Sequence, residues 1–234
     1  MVNFIPQSIV NVLAGAAALS LASAGVASAA TTVGWAASDI GLSQTITFDG
    51  VSDAYFNHST PVPGLSAQLT LKLDSIVNNN WNFSYDLTNT SSSPITSSRV
   101  TVFGFDVMES YAGVTSTGLF SDPGAGAADI VGSHNLCFRT INFGQCLGNY
   151  FGGVAKGDSA SGLFDLKYTS AQIGIQFSRM FVAYQGISAP KLCLCHQDGA
   201  GVGAVPEPAT WAMLITGISA IGAVMRRRRG LAIG

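Results

Sequence analysis

Four cysteines are the side chains of this 234-residue chain best able to form a covalent bond with one another. Cys137 and Cys146 stand nine apart around the turn-like Asn142-Phe143-Gly144, so a bridge between them would close a small loop across a hairpin. Cys193 and Cys195 flank a single residue, which on a strand would put both thiols on one face. The spacing favours Cys137 with Cys146 and Cys193 with Cys195. The crossed pairings, which would tie the C-terminal strand to the hairpin, stay open. A soft-metal reading of Cys193, Cys195 and His196 lacks the second Cys or His pair that such sites use. In an oxidising compartment the expectation is therefore disulfides, with no metal and no other cofactor.

Other groupings with chemical potential have simpler readings. Asp106 and Glu109 lie three apart near a strand end and could form an acid/base pair, but glycoside cleavage needs two carboxylates flanking a bond, and solvation is the simpler role. His58, His134 and His196 sit in turn-like or Cys-adjacent contexts. Gly152, Gly153 and Lys156 suggest a phosphate loop, yet no helix follows to supply its N-terminus. Trp81, Phe83 and Tyr85 could line a sugar platform, although alternate aromatics on one strand face are more often core. There is no G-x-S-x-G, H-E-x-x-H or G-x-x-x-x-G-K, and no alternating-Asp calcium loop. No catalytic residue is expected.

The elements that must position these residues are strands. Ala67, Leu69, Leu71 and Leu73 alternate with Gln68, Thr70, Lys72 and Asp74; after Asn78-Asn79-Asn80 the period of two resumes with Trp81, Phe83, Tyr85 and Leu87. These runs form a predicted hairpin. Further predicted strands cover 44–49, 99–108, 135–142, 162–168 and 180–185, separated by turn chemistry such as Ser91-Ser92-Ser93-Pro94 and Ser121-Asp122-Pro123-Gly124. No helical period is sustained between residues 30 and 199. Many short strands with frequent turns predict a mainly β fold, an antiparallel β-sandwich or jelly roll.

Composition limits the partners. Between residues 30 and 205 there are seven Lys and Arg against twelve Asp and Glu, a net charge near −5, with no basic stripe for nucleic acid. Ice binding would require a flat array of regularly spaced Thr, and the sequence shows none.

Both ends of the chain read as targeting segments. An apolar core at 9–21 precedes Ala27-Ser28-Ala29, in which Ala27 and Ala29 supply the small-x-small pattern of signal peptidase, although the first eight residues carry no Lys or Arg. At the other end Pro206-Glu207-Pro208 precedes a charge-free apolar run, 209–225, closed by Arg226, Arg227, Arg228 and Arg229. At 1.5 Å per residue the run is about 25 Å long as a helix, within the range for a membrane span. Four guanidinium groups stay on the cytoplasmic side, which leaves everything before Pro206 outside.

That C-terminal stretch resembles the sorting signal of PEP-CTERM proteins, also labelled the ice-binding protein C-terminal signal, in Pro206, Glu207, Pro208, Trp211, Met213, Gly217, Gly222 and Arg226 to Arg229. The resemblance implies processing by an exosortase, in a Gram-negative bacterium that makes exopolysaccharide. Phe103-Gly104-Phe105-Asp106-Val107, Cys137-Phe138, Cys146, Gly152-Gly153-Val154 and Ala183-Tyr184-Gln185-Gly186-Ile187 resemble a PEP-CTERM subgroup called the cistern family, which implies no activity.

The expected organisation is a signal peptide at 1–29, a β-sandwich at 30–197, a Gly/Ala linker at 198–205 too small-sided to pack, and the sorting signal at 206–229. The expected route is the Sec translocon and signal peptidase, a transient single-pass intermediate in the inner membrane, exosortase, and then the cell surface or a biofilm matrix of exopolysaccharide. Two functions compete: a non-enzymatic surface or matrix protein, and a carbohydrate-binding or carbohydrate-active β-sandwich.

Overall fold

In the computed structural model, residues 32–52, 60–128, 130–141, 144–148, 152–190 and 198–204 are described. They form strands and connections without helix. In chain order the strands are β1 (Val33–Ala36), β2 (Ser43–Ser52), β3 (Thr60–Val77), β4 (Asn80–Thr88), β5 (Ser97–Val107) and β6 (Gly113–Ser116). They continue as β7 (Asp122–Ala128), β8 (Gly132–Arg139), β9 (Val154–Ala155), β10 (Ser159–Lys167), β11 (Gly174–Ser188) and β12 (Gly199–Ala204).

The strongest pattern in the sequence builds the longest hairpin. Val77 pairs with Asn80, and Asn78 and Asn79 take positive φ values of 51° and 61°, as a two-residue turn with the primed twist of a hairpin requires. Leu69, Leu71 and Leu73 then share the inner face with Trp81, Phe83, Tyr85 and Leu87, all buried. The outer face of the same strands carries Gln68, Thr70, Lys72, Asn82, Ser84 and Asp86.

The architecture corrects the expected sandwich. All pairings are antiparallel, and one continuous ladder runs β6-β10-β4-β3-β2-β12-β11-β5-β8-β7, with β1 on β11 and β9 on β5. Its two edges, β6 and β7, come into contact, so the sheet curls into a nearly closed barrel around a single interior. Bulges at Leu73/Ser75, Asp49/Val51 and along β11 add the local twist that lets long strands wrap. Alternation is the same for a sandwich and a barrel, which is why the sequence could not separate them.

Aromatic rings fill the interior. Phe164 of β10 lies 4.8 Å from Phe138 of β8 and 5.0 Å from Phe83 of β4, and Phe105 stacks on Phe177 at 4.1 Å. Phe164–Phe138 crosses the interior between strands that are not neighbours in the sheet, whereas Phe83–Phe164 and Phe105–Phe177 join adjacent strands, and each such pair adds about 0.5–1.5 kcal/mol to the burial of its area. A small interior filled with side chains and a polar exterior is the reverse of the face pattern of an outer-membrane barrel.

Residues 198–205 are not a loose linker. Gly199–Ala204 is β12, hydrogen-bonded on one side to β2 through six residue pairs and on the other to β11 through four. The small side chains are what let it pack. A Cβ on Gly201 would lie 2.8 Å from Phe48 Cβ and 2.9 Å from Val182 Cγ2, and one on Gly203 would lie 2.7 Å from Ile46 Cγ2. Val202, between them, points outward and is 49% exposed. The wall therefore continues at least to Ala204, past the expected boundary at 197.

β1 and β12 occupy one lane of the sheet. β12 ends beside Phe181 of β11, and β1 takes over at Phe177, so the domain's first strand begins where its last one stops.

Overpacking this lane should show directly. Gly201→Leu is expected to cost about 1–3 kcal/mol in urea unfolding of the purified protein. Val202→Thr, on the outer face, should stay within about 0.5 kcal/mol of the parent. Equal effects from the two substitutions would contradict the packing of β12.

Candidate functional site

Chemistry-bearing side chains gather on the outer face of the β5–β8–β11 wall, beneath residues 128, 130–131 and 144–148. A second apolar cluster sits there, made of Val102, Ala128, Cys137, Cys146 and Phe181, separate from the barrel interior. Cys137 and Cys146 are bonded, with Cα atoms 5.8 Å apart and both residues fully buried. The expected hairpin bridge is thus present, and its role is to pin the covering segment to the wall. Cys193, Cys195, His196 and His58 lie outside the described residues, as do the turn residues Asn142 and Phe143.

Beside the bridge is a charged arrangement that the spacing of single residues does not announce. Arg179 takes φ +49° at a bulge of β11, between the pairs Ser178–Asp106 and Phe181–Gly104. Its Nη1 donates to Asp106 Oδ2 at 2.8 Å and to the Ser133 carbonyl at 3.1 Å, and its Nη2 donates to the Val131 carbonyl at 3.2 Å. The other oxygen of Asp106 accepts the Asn135 backbone N–H at 2.9 Å. Asn135 in turn pairs with β5 through its side chain, donating to the Val107 carbonyl and accepting the Val107 N–H, each at 2.8 Å. Glu109 accepts the Gln176 N–H at 2.9 Å. Asp106 and Glu109 are thus each committed to backbone N–H groups, and Asp106 to a guanidinium as well. The arrangement fastens β5 to β8 and β11.

His134 joins this cluster from β8. Its ring is buried, stacks on Phe181 at 4.2 Å, and places Nδ1 3.5 Å from Asp106 Oδ1. Burial, with a smaller push from the Arg179 charge, lowers its pKa below 6.5, against the opposing pull of Asp106. The imidazole is neutral at pH 7 and serves as a flat packing surface. Arg139 is buried nearby, ion-paired with Asp122 at 2.8 Å and donating to the carbonyls of Gln145 and Pro123.

The remaining sequence candidates are displaced from any ligand role. Trp81, Phe83 and Tyr85 are at most 2% exposed and face the interior, so the sugar-platform reading is overturned. Lys156 donates its ammonium to the Ile95 carbonyl, which ties it to the loop after β4 and away from a phosphate. The cavities offer little enclosure. One cleft between Cys146, Phe181, Gln185 and Ala200 has room for about one water, 10 Å³. A broader depression of about 420 Å³ at β1 and the start of β11 is open to solvent, and its carboxylate is the committed Glu109. Among the described residues no three His, Cys, Asp or Glu side chains converge as a metal site, and no helix is long and apolar enough to cross a membrane.

Sequence reasoning missed Arg179, Arg139, Asn135 and the buried Asn89, whose amide donates to Val154, to the Ser98 carbonyl and to the Ser98 hydroxyl. The positive φ of Arg179 and the cross-strand partners of all four residues depend on information a sequence does not carry. Of the residues that resemble the cistern family, 103–107, 137–138, 154 and 183–187 lie on β5, β8, β9 and β11, which pair around β5, but no family match covers them.

The sorting-signal residues Pro206, Glu207, Pro208, Trp211 and Arg226 to Arg229, and the cleavage residues Ala27 and Ala29, lie outside the described residues. Comparison with known families reaches the first set: residues 204–229 match the PEP-CTERM protein-sorting motif. The match does not extend to 103–184. No curated protein and no solved structure matches the chain.

Two measurements follow from the outer cluster. Reducing the Cys137–Cys146 bridge, which closes a loop of nine residues, should lower unfolding stability by about 2–3 kcal/mol. Because His134 is held neutral in the folded state and titrates near 6.5 when unfolded, its contribution is complete above that pH and declines as pH falls through it. The drop in stability from pH 7 to pH 5 should accordingly be smaller in His134→Gln than in the parent; an equal or larger drop would contradict the burial of the ring.

Proposed function

We propose, from the premise that this chain carries a PEP-CTERM protein-sorting motif at 204–229, that it is an exosortase-sorted surface or matrix protein whose β-barrel has no catalytic activity. The motif supports export, a membrane-held intermediate and delivery to the cell surface. The observation that carries the reading is continuity: the motif starts at the last residue of a wall strand, so the chain consists of a folded barrel joined directly to its sorting signal.

The barrel's chemistry agrees with a structural role. Its aromatic side chains fill the interior, its carboxylate pair is tied to backbone and guanidinium, and its covalent chemistry lies in a buried disulfide. The outer face of β2, β3 and β4 presents Thr45, Thr47, Thr70, Ser84 and Thr88. Such a polar face, which also carries Asp49, Lys72 and Asp86, suits immersion in hydrated exopolysaccharide, the partner implied by the sorting route.

Fractionation of the native host with and without its exosortase gene tests this reading. With the enzyme, the protein should reach the surface or medium without Arg226 to Arg229. Without it, full-length protein should accumulate in the inner membrane. A protein that keeps its Arg cluster in both strains would overturn the proposal.

A further inference from the structure

One end of the barrel is tipped with apolar side chains. Of the nine large apolar residues that stand exposed among the described residues, five lie there: Ile40, Leu42, Val77, Met108 and Ile173, the last 92% exposed. Backbone bonds gather their connections at this end, since Ala37 donates to the Ile173 carbonyl, Leu73 to that of Leu42, Met108 to that of Gln176 and Tyr168 to that of Asn79. The other four, Leu119, Ile141, Leu163 and Val202, are dispersed over the rest of the wall and its connections. Apolar residues scattered singly need no explanation, but a cluster of them marks an interface. Acids near the tips are already engaged: Asp39 accepts the Ala36 N–H at 2.8 Å, Asp74 pairs with Lys72 at 2.9 Å, and Glu109 accepts the Gln176 N–H.

Where the chain leaves the wall says what covers this end. β12 runs toward it and stops at Ala204, paired with Thr47, four residues or about 14 Å short of the start of β2 at Ser43. The charge-free apolar run begins at residue 209. Whatever their course, the five links from 204 to 209 span at most about 18 Å. In the membrane-held intermediate residue 209 therefore meets the hydrocarbon within a few ångströms of this end of β2, which is about the depth of the headgroup layer, roughly 5–8 Å on each face. To turn the opposite end to the lipid, the same links would have to pass Ser52, about 17 Å the other way, and almost no length would remain for the headgroups. A barrel lying on its side would press the polar outer face of β2, β3 and β4 onto the lipid.

We propose that this end of the barrel docks on the phospholipid surface through Ile40, Leu42, Val77, Met108 and Ile173, so that the domain stands upright on the bilayer with β12 directed into it. This rests on the membrane-held intermediate above. Apolar side chains settle into the boundary between headgroups and acyl chains, about 5–10 Å deep. Acids already held by backbone N–H groups and by Lys72 do not oppose that contact.

The test is tryptophan quenching in the uncut chain, purified from an exosortase-deleted strain and reconstituted into phosphatidylcholine vesicles whose acyl chains are brominated close to the headgroup. Loss of Trp211 emission in the parent reports that the apolar run is in the bilayer. Leu42→Trp and Ile173→Trp should each add blue-shifted emission that is largely lost in the brominated vesicles. Leu163→Trp, on the outer wall of β10, should add emission that the brominated lipid leaves unchanged. Added emission at 42 and 173 that stays red-shifted and unquenched while Trp211 is quenched would overturn the docking and leave the membrane-held reading standing. Blue-shifted but unquenched emission there would assign this end to a second copy of the chain, and equal quenching at 163 would mean a barrel on its side; either result overturns the proposal. Unquenched Trp211 would overturn the membrane-held reading and this inference with it.

Discussion

The fold depends on a lane of the barrel wall that is too narrow for side chains. Between β2 and β11 the inward positions of β12 are filled by hydrogen atoms because Phe48, Ile46, Val182 and Met180 already occupy the space in front of them. The interior can be as full of aromatic rings as it is because one strand contributes almost no volume to it. Close packing makes the match sensitive in both directions, since a cavity or an added methylene is each felt in a dense core. This strand is also the point at which the barrel meets its export signal. A six-residue element thus carries two obligations: closing the sheet and handing the chain on to the sorting motif.

The second layer of organisation lies outside the barrel. On most of the wall the outward face is polar and wet, but over β5, β8 and β11 it is covered by residues 128, 130–131 and 144–148. Gly104 permits this, since Phe181 and Cys137 lie against the position its Cβ would take. The cover is fastened covalently by Cys137–Cys146, by the guanidinium of Arg139, which donates to the Gln145 carbonyl while paired with Asp122 of β7, and at its edge by Arg179 bridging Asp106 to the carbonyls of Val131 and Ser133. Salt bridges that are half exposed contribute little stability on their own. Here the geometry matters more, because each charged group also satisfies backbone donors or acceptors that the bulged strands leave unpaired.

Much of the β framework was legible in the sequence, for a physical reason. Wherever one face is buried and the other wet, as on β3 and β4, alternation is strong, and all seven strand regions read from it fall on strands of the barrel, although those at 99–108, 135–142 and 162–168 run past the ends of β5, β8 and β10. The Cys137–Cys146 pairing was legible too, from its short spacing. Alternation failed where its premise failed. β12 carries no hydrophobic signal because its role is to be thin, so glycine spacing read as a linker although Gly199, Gly201 and Gly203 repeat with the period of a strand. β7 is equally small-sided, and β1, β6 and β9 are too short to establish a period. Closure into a barrel and the commitment of Asp106 to Arg179 are long-range facts, set by which strands meet.

The claim on which the account turns is that the glycine-rich segment before the sorting motif is a wall strand. Amide hydrogen exchange of the folded protein, read at residues 199–204, tests it most directly. The account predicts protection at the paired amides of this segment comparable to that of β2 and β11, because opening them requires opening the sheet. Exchange as fast as an unstructured chain at 199–204, with β2 and β11 still protected, would contradict it.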